Sequence, residues 1–299
     1  MAKYAVDDLH VRHHARSGSP GSTLAFTAFL VLVAVYFVIP LAWLLVSMTK
    51  SQIQLFDTGI FTFPHHLNLV QNFTAVSRYQ GGRFWRWFGN SIGYSVVIAT
   101  FATLFSAAAG YSLAKHSFSG KNVVFWLVLV SLMIPGAVSV IPVFIMERSA
   151  GLLNSYLGVI LPQLVSPFGV YFMRIYIGQT MPGDLIDAAR IDGASDIRTF
   201  FSIALPVNRP GLITLFLIVF VGSWNNFFLP FLLLSSSRLF PLSLGLYSWL
   251  GLISQHTAGV SYDSLLIMGS AISVVPMLIL FPFLSRYIGS GLAQGSIKI

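Results

Sequence analysis

Acidic side chains are scarce in this chain, and nearly half of them lie in one short segment. The 299 residues include nine acids, and four fall within thirteen residues: Asp184, Asp187, Asp192 and Asp196. Arg190 and Arg198 are interleaved with them, and small residues that allow another backbone to approach closely lie in between. Charges of both signs can pair across a protein interface. The pattern fits a dock for a second protein and, equally, a surface connector whose charges are merely solvated.

Helix-start and helix-stop residues divide this segment into two short helices. Pro182 suits the first turn of a helix, and Gly193 suits the left-handed position just after a helix end. Ser195 can cap a second helix, which Pro206 and Pro210 then end. The sequence therefore predicts two short helices joined by a glycine elbow at Gly193.

Helical spacing also predicts which residues share a face of each helix. On the first helix, the set at this spacing is Leu185, Ala188, Ala189 and Asp192. On the second helix, residues at 0, +3, +4 and +7 form an apolar stripe: Ile197, Phe200, Phe201 and Ala204.

A second polar feature interrupts an otherwise apolar run near residue 225. Asn225 and Asn226 are uncharged, but burying them in lipid costs free energy unless they are paired or face water. A hydrogen bond between helices and a place in the lining of a solute pathway both satisfy them, and the sequence leaves both open. The neighbouring Trp224 suits stacking on a sugar ring as well as ordinary packing.

Other reactive arrangements are missing from the sequence. No G-x-x-x-x-G-K-[ST] phosphate loop occurs, so ATP would have to be bound by another chain. The pairs His13–His14 and His65–His66 are adjacent residues that do not share a helix face, and no carboxylate lies at ligand spacing, so no metal site is expected. Cysteine is absent, which excludes disulfides and iron–sulfur clusters. We expect no catalytic residue and no cofactor bound by this chain.

Composition places these features in a membrane protein. The chain is 56% hydrophobic and 9% charged, whereas soluble domains contain about 25% charged residues. So few charges do not cover a water-exposed surface of this size, and lipid is the alternative solvent. The net charge of +8 is better explained by basic loops near anionic lipid headgroups than by nucleic acid.

Apolar runs long enough to cross a bilayer, about 20 helical residues each, predict an all-α protein with six transmembrane helices. They are residues 24–48, 92–114, 123–146, 157–173, 211–237 and 265–285. Lys and Arg favour both termini in the cytoplasm, with eleven on the inner side and six outside. One domain, 24–288, then lies between an N-terminal tail, 1–23, and a C-terminal tail, 289–299. The acidic segment belongs to an inner loop, 178–209, and the loops 49–89 and 235–264 lie outside.

The acidic segment resembles a known family motif. The run Asp187-Ala188-Ala189-Arg190-Ile191-Asp192-Gly193-Ala194, followed at fixed spacing by Phe200, Ile203, Leu205 and Pro206, is similar to the "EAA" loop of bacterial ABC-importer permeases. Asp187 stands where that family usually has Glu, which keeps the charge. Residues 224–227, Trp-Asn-Asn-Phe, and the glycine-rich tail 289–299 resemble the carbohydrate (maltose, MalG-like) branch.

This resemblance implies a function and a set of partners. It implies a sugar or oligosaccharide importer in the bacterial plasma membrane, built from this permease, a second permease, two ATPase subunits and an extracytoplasmic binding protein. ATP and Mg would sit on the ATPase. The implied docking residues are Asp187, Ala188, Ala189, Arg190, Asp192, Gly193, Ala194, Phe200, Leu205 and Pro206, with Phe200 anchoring the second helix to its own spans. The loop 235–264 would reach the binding protein, or it is an ordinary connector.

Three other functions compete with this interpretation. An ion-coupled secondary transporter needs charged residues within its spans, and these are nearly absent. A membrane-embedded enzyme needs clustered His, Asp or Glu at a membrane face, and the acidic segment is the one such cluster. An ABC permease for a solute other than a sugar remains open.

Overall fold

The computed structural model describes residues 20–253 and 262–293, and every regular element in these ranges is helical. In chain order the α-helices are α1 (Pro20–Ser47), α2 (Gln52–Asp57), α3 (Leu69–Arg78), α4 (Arg83–Lys115), α5 (Lys121–Met133), α6 (Gly136–Ser149), α7 (Tyr156–Ile160), α8 (Pro167–Thr180), α9 (Gly183–Ile191), α10 (Asp196–Thr199), α11 (Leu205–Val207), α12 (Arg209–Trp224), α13 (Phe228–Leu233), α14 (Leu242–Ile253) and α15 (Tyr262–Ala293). The predicted all-α membrane fold is confirmed. The predicted tails fall mainly on residues 1–19 and 294–299, outside the described ranges.

Four stretches of the described chain are long and apolar enough to cross a membrane: Thr23–Ser47, Arg83–Lys115, Tyr156–Thr180 and Tyr262–Phe283. Two further apolar stretches are bent pairs of helices. The pair α5 and α6 meets at 106°, and the stretch Asp196–Val207 meets α12 at 80°. Six spans result if each bent pair crosses the membrane, so the number six stays a prediction.

Helix breaks correct two predicted spans. The predicted span 123–146 is broken at Ile134 and Pro135, because proline has no N–H and forces the preceding residue into an extended conformation. Pro142 lies inside α6 without a break. The predicted span 211–237 ends at Trp224, and a second short helix, α13, follows.

The predicted outer loops contain more structure than the sequence suggested. The loop 49–89 holds α2, α3 and the first two turns of α4, and the buried Lys50 ammonium donates to the carbonyl of Gly59 at 2.8 Å. The loop 235–264 holds α14, whose Trp249 is fully buried. Residues 254–261 of that loop lie outside the described ranges.

The long helix α4 is the centre of the bundle and packs on both α8 and α12. Its buried face includes a row of small residues: Ser95, Ala99, Ala102, Ser106 and Gly110. A Cβ added to Gly110 would lie 2.8 Å from the backbone nitrogen of Arg174. Small residues therefore let the backbones of α4 and α8 touch, which is how helices associate within a bilayer.

Side chains near the other end of α4 hold the segment before α14. Trp87 donates its indole N–H to the carbonyl of Ser237 at 2.8 Å, and Tyr94 donates to the carbonyl of Leu239 at 3.0 Å. The hydroxyl of Ser91 accepts the backbone N–H of Leu242 at 2.7 Å. These bonds fix the end of the bundle opposite the acidic segment.

Candidate functional site

The acidic segment forms the predicted pair of helices, α9 and α10, joined at Gly193. Gly193 adopts φ +76°, the left-handed conformation that glycine accepts without strain. Its N–H donates to the carbonyl of Arg190 at 3.0 Å, and the N–H of Ala194 donates to the carbonyl of Ala189 at 2.9 Å. These are the two bonds of a Schellman C-cap. The predicted glycine elbow is confirmed.

The second helix begins as predicted and continues differently. The Ser195 hydroxyl accepts the N–H of Arg198, which caps α10. After one turn, residues Phe200–Ala204 widen into a π-helical turn, and α11 follows. Pro206 explains the widening, because its ring crowds the carbonyl four residues earlier, that of Ser202.

The inward face of the pair is buried on α4 and α8. Ile186 and Ala189 of α9 and Phe200 and Ala204 of the second helix are each at most 8% exposed. Of these, Ile186, Phe200 and Ala204 pack against a cluster formed by Ala107, Tyr111, Met173, Ile177, Met181 and Leu215. The rings of Phe200 and Tyr111 lie 5.5 Å apart. The pair therefore sits on the bundle through two short apolar contacts.

The structure shows which of the residues grouped by helical spacing are buried. On α9 the buried residues are Ile186 and Ala189, whereas Leu185, Ala188 and Asp192 of the predicted face are exposed. On the second helix Ile197 and Phe201 are exposed, so only half of the predicted stripe is buried. Spacing identifies sets of residues on one face, but it does not say which set meets the bundle.

The outward face combines exposed apolar side chains with charge. Ile191, Ile197 and Phe201 are 87%, 72% and 55% exposed. The four acids named at the outset are all exposed beside them. We call this surface, formed by the outward side chains of residues 184–201, the coupling knob. An apolar surface rimmed by charge is typical of a protein interface.

Arg190 links the two halves of the knob. Its guanidinium nitrogens lie 3.8 Å from a carboxylate oxygen of Asp187 on α9 and 3.8 Å from one of Asp196 on α10. All three side chains are more than half exposed, and such pairs contribute little to stability in water. They orient the carboxylates and leave them accessible to a partner.

The other predicted docking residues have varied positions. Gly193 is exposed, Ala194 and Leu205 are half-buried, and Pro206 is exposed. Phe200 faces inward, in the place expected for an anchor. The ten predicted docking residues lie in one segment. Its inward side packs on the bundle, and its outward side is exposed.

Three polar residues that sequence reasoning missed fix the ends of this segment. Asn208 is 1% exposed. Its side-chain oxygen accepts a hydrogen bond from the hydroxyl of Thr180, and its side-chain nitrogen donates to the carbonyl of Ala204 at 2.8 Å. Lys115, at the end of α4, donates its ammonium to the carbonyl of Met181. In the sequence, each of these three residues is polar and lies at the edge of an apolar run, and this position is the signal that could have identified them. They tie the start of the segment to its end and to α4.

An open cavity of about 860 Å³ lies between α5, α6, α8, α12 and α13. Its polar lining consists of Ser131, Ser139, Gln163, Ser166, Ser223 and Asn226. Among the described residues that line it, none is acidic or basic. The described ranges also contain no group of three His, Cys, Asp or Glu residues that could hold a metal ion.

The three predicted pathway residues separate around this cavity. Asn226 lines it and donates to the side-chain oxygen of Gln163 at 2.8 Å, which is the hydrogen bond that the sequence left open, whereas its role in a solute pathway stays a prediction. Asn225 donates to the carbonyl of Val221 one turn back in its own helix and is exposed. Trp224 is 5% exposed and stacks on Phe220 in the core, so it does not face the cavity. Gln163 was missed, because one glutamine beside a proline carries no distinctive pattern.

Comparison with known proteins agrees with this architecture. The arabinooligosaccharide transport system permease protein AraQ of Halalkalibacterium halodurans is 38% identical over 92% of this chain and 95% of its own. The diacetylchitobiose uptake system permease protein NgcG of Streptomyces coelicolor is 29% identical over 91% and 87%. A chain of a bacterial ABC transporter that imports the acidic polysaccharide alginate has the same fold, with a TM-score of 0.77, 21% identity, and coverage of 90% and 98%.

A family match covers both the cavity and the coupling knob. Residues 102–294 match the binding-protein-dependent transport system inner membrane component. This range includes α8 to α12 and therefore every residue predicted for docking and for the solute pathway. Since the family match spans most of the chain and AraQ aligns along nearly all of it, this protein belongs to the family of inner membrane components of binding-protein-dependent transport systems.

Proposed function

We propose that this chain is the permease subunit of an ATP-driven importer for a neutral oligosaccharide, and that the coupling knob receives the ATPase. The observation that carries the proposal is the knob itself: exposed Ile191, Ile197 and Phe201 among four carboxylates, on a segment fixed to the bundle by Phe200 and Asn208. A merely solvated connector needs no large apolar side chains at its outer surface.

The segment that carries the knob connects two helices that line the cavity, so a displacement of the knob would also displace the cavity walls. It leaves the end of α8 and returns as α12, and these two helices line the cavity with Ser166 and Phe168 on one side and Gly222 and Ser223 on the other. ATP binding would close the ATPase dimer and move the knob as a rigid body. The helices α8 and α12 would then rock against α5 and α6, which is two-state alternating access.

The cavity chemistry supports a neutral, hydroxyl-rich solute. Its hydroxyl and amide groups can exchange hydrogen bonds with sugar hydroxyls, and its described lining offers no charge to pair with a phosphate or uronate. The names of AraQ and NgcG, which refer to arabinooligosaccharides and diacetylchitobiose, fit this, whereas the transporter of the same fold imports the acidic polysaccharide alginate. The pathway residues that we propose are Gln163 and Asn226.

The proposed assembly supplies what this chain lacks. It contains a second permease, two ATPase subunits that bind ATP and Mg, and an extracytoplasmic binding protein, in the bacterial plasma membrane. The absence of a phosphate loop from the sequence supports ATP binding on another chain. Both termini and the knob would face the cytoplasm, which agrees with the distribution of Lys and Arg.

Ile197→Lys tests this function, because the side chain is exposed and the fold does not depend on it. We expect the complex reconstituted in proteoliposomes to lose most ATP-driven uptake of labelled arabinotriose. In the variant, docking of the ATPase would bury a charged lysine where the native protein has an apolar contact. Ile60→Lys is the matched control, since this isoleucine of the predicted outer loop is 64% exposed, against 72% for Ile197. Equal uptake by both variants would refute docking at the knob. Uptake of a uronate oligosaccharide in preference to arabinotriose would refute the neutral-solute part.

A further inference from the structure

An apolar groove of about 660 Å³ lies between α4, α12 and α15, apart from the central cavity. Its walls include Thr100, Leu104, Leu212, Ile213, Phe216 and Leu280. The groove is open to the outside of the bundle along these three helices. Leu205, which belongs to the segment that carries the knob, also lines it. The groove therefore adjoins the element that we expect to move.

A basic residue lies on the groove side of α12, at the end where this helix begins. Arg209, Leu212, Ile213 and Phe216 are spaced at 0, +3, +4 and +7, so they share one helix face, and the last three line the groove. Helical side chains lean towards the N-terminus of their helix, which directs Arg209 away from the apolar walls and towards the membrane surface. Arg209 is exposed, and no described carboxylate lies within 4 Å of it.

We propose that this groove binds one anionic phospholipid, with an acyl chain along its walls and the phosphate on Arg209. The walls suit a hydrocarbon chain, because almost no polar group lines them. A guanidinium at the mouth suits a phosphate, which it can hold through two parallel hydrogen bonds.

The charge at the mouth argues for a lipid rather than for a helix of another subunit. A neighbouring helix would cover the apolar walls, but it would leave Arg209 without an anion. Anionic headgroups are concentrated at the cytoplasmic leaflet and attract arginine there. Because Leu205 forms part of the wall, the lipid would touch the segment behind the knob and support it against α4 and α15.

Native mass spectrometry of the intact importer complex tests the proposal. The complex is extracted in mild detergent from membranes that contain phosphatidylglycerol and phosphatidylethanolamine, and the bound lipids are counted. We expect one phosphatidylglycerol to remain on each copy of this chain. Arg209→Gln should lower its occupancy about fivefold, the factor that corresponds to one surface arginine on an anionic membrane.

Two further variants separate the parts of the proposal. Ile213→Trp fills the groove and should also displace the lipid, while Arg148→Gln, an exposed arginine at the last turn of α6, should leave the occupancy unchanged. Equal retention of phosphatidylethanolamine, or no loss in Arg209→Gln, would overturn the anionic site. A photocrosslink from position 213 to another protein subunit instead of lipid would overturn it as well.

Discussion

Gly193 controls the angle between α9 and α10 and hence the shape of the coupling knob. An added Cβ at this position would meet no atom within 4 Å, so space is not what requires glycine there. The requirement comes from the backbone, because φ is +76° and side chains with a Cβ disfavour this conformation by about 1–2 kcal/mol. The shape of the knob is thus set by the backbone conformation of one residue and not by side-chain packing around it.

Gly193→Val should therefore keep the permease folded and loosen its hold on the ATPase. A cost of about 1–2 kcal/mol corresponds to a loss of about 5–30-fold in an equilibrium constant. Titration of the reconstituted permease pair with purified ATPase measures this loss. Gly183→Val is the control, since Gly183 starts α9 without a positive φ and with open space around it. Equal affinities of the two variants would show that the elbow does not shape the dock.

Substitution of Asn226 tests the proposed solute pathway. Loss of its hydrogen bond to Gln163 and loss of a sugar contact would lower uptake by different amounts. Asn226→Leu removes the hydrogen bond to Gln163, and such bonds between spans are worth about 0.6 kcal/mol on average. A loss of this size shifts the melting temperature slightly and does not stop transport. We expect uptake of arabinotriose to fall at least tenfold, by more than the lost bond explains, because a sugar contact is removed as well.

Asn225→Leu is the neighbouring control for this prediction. Asn225 bonds to its own helix and is not part of the cavity lining. We expect it to retain normal uptake. Uptake that falls equally in both variants, or in neither, would contradict a pathway role for Asn226.

At the residue scale, the sequence predicted the two helices and their elbow, but not which of their side chains face the bundle. The charge cluster, the elbow at Gly193 and the cap at Ser195 are local signals, and all of them are present in the structure. Burial of Ile186 instead of Leu185 depends on where α4 and α8 lie, and neighbouring residues in the sequence carry no information about that. Trp224 shows the same limit, because an aromatic residue in a span looks alike whether it packs or faces a cavity.

The contact between α4 and α8 is the element-scale feature that allows the knob to move with the bundle. Gly110 lies against the backbone of Met173 and Arg174, and Gly169 lies against Ser106. Close backbone contact makes the two helices one rigid unit. In the proposed mechanism, motion of the knob would then be passed along α8 to the cavity without being absorbed by side chains.

Gly110→Ala should disrupt this unit. The new Cβ would lie 2.7 Å from the Cβ of Met173, so the helices must separate, and overpacking of this kind costs about 1–3 kcal/mol. Thermal unfolding of the detergent-purified complex, followed by intrinsic tryptophan fluorescence, measures the effect. Gly93→Ala in the same helix has no atom within 4 Å and should be neutral or slightly stabilising. Equal melting temperatures would mean that α4 and α8 are not closely packed.

Hydropathy located the apolar stretches but not their breaks. Pro135 and Pro142 are both prolines in one apolar run, yet only the first ends a helix. The second lies two residues after Val140, which packs against Leu229 and Leu233 of α13 and helps to hold α6 in place. That support comes from a segment about 90 residues away, so periodicity within the run cannot distinguish the two prolines.

On the scale of the whole molecule, the described chain has one well-packed bundle and one loosely attached span. In α1, only 6% of the most apolar window is buried, and its main contact within the described chain is with α15. The sequence identified α1 as a span from its composition alone, and composition was sufficient because lipid selects for it. Where α1 lies in the assembly depends on surfaces of other subunits that this sequence does not encode.

The central claim is that the coupling knob seats the ATPase, and a crosslink from Ile191 tests it most directly. The chain has no cysteine, so Ile191→Cys gives a single site for a photoreactive label at a side chain that is 87% exposed. Ile53→Cys in the predicted outer loop, at 72% exposed, is the matched control. Illumination of the intact complex should join this chain to the ATPase from position 191 and not from position 53. Adducts from position 191 with lipid alone, or with no ATPase among the products, would contradict the account.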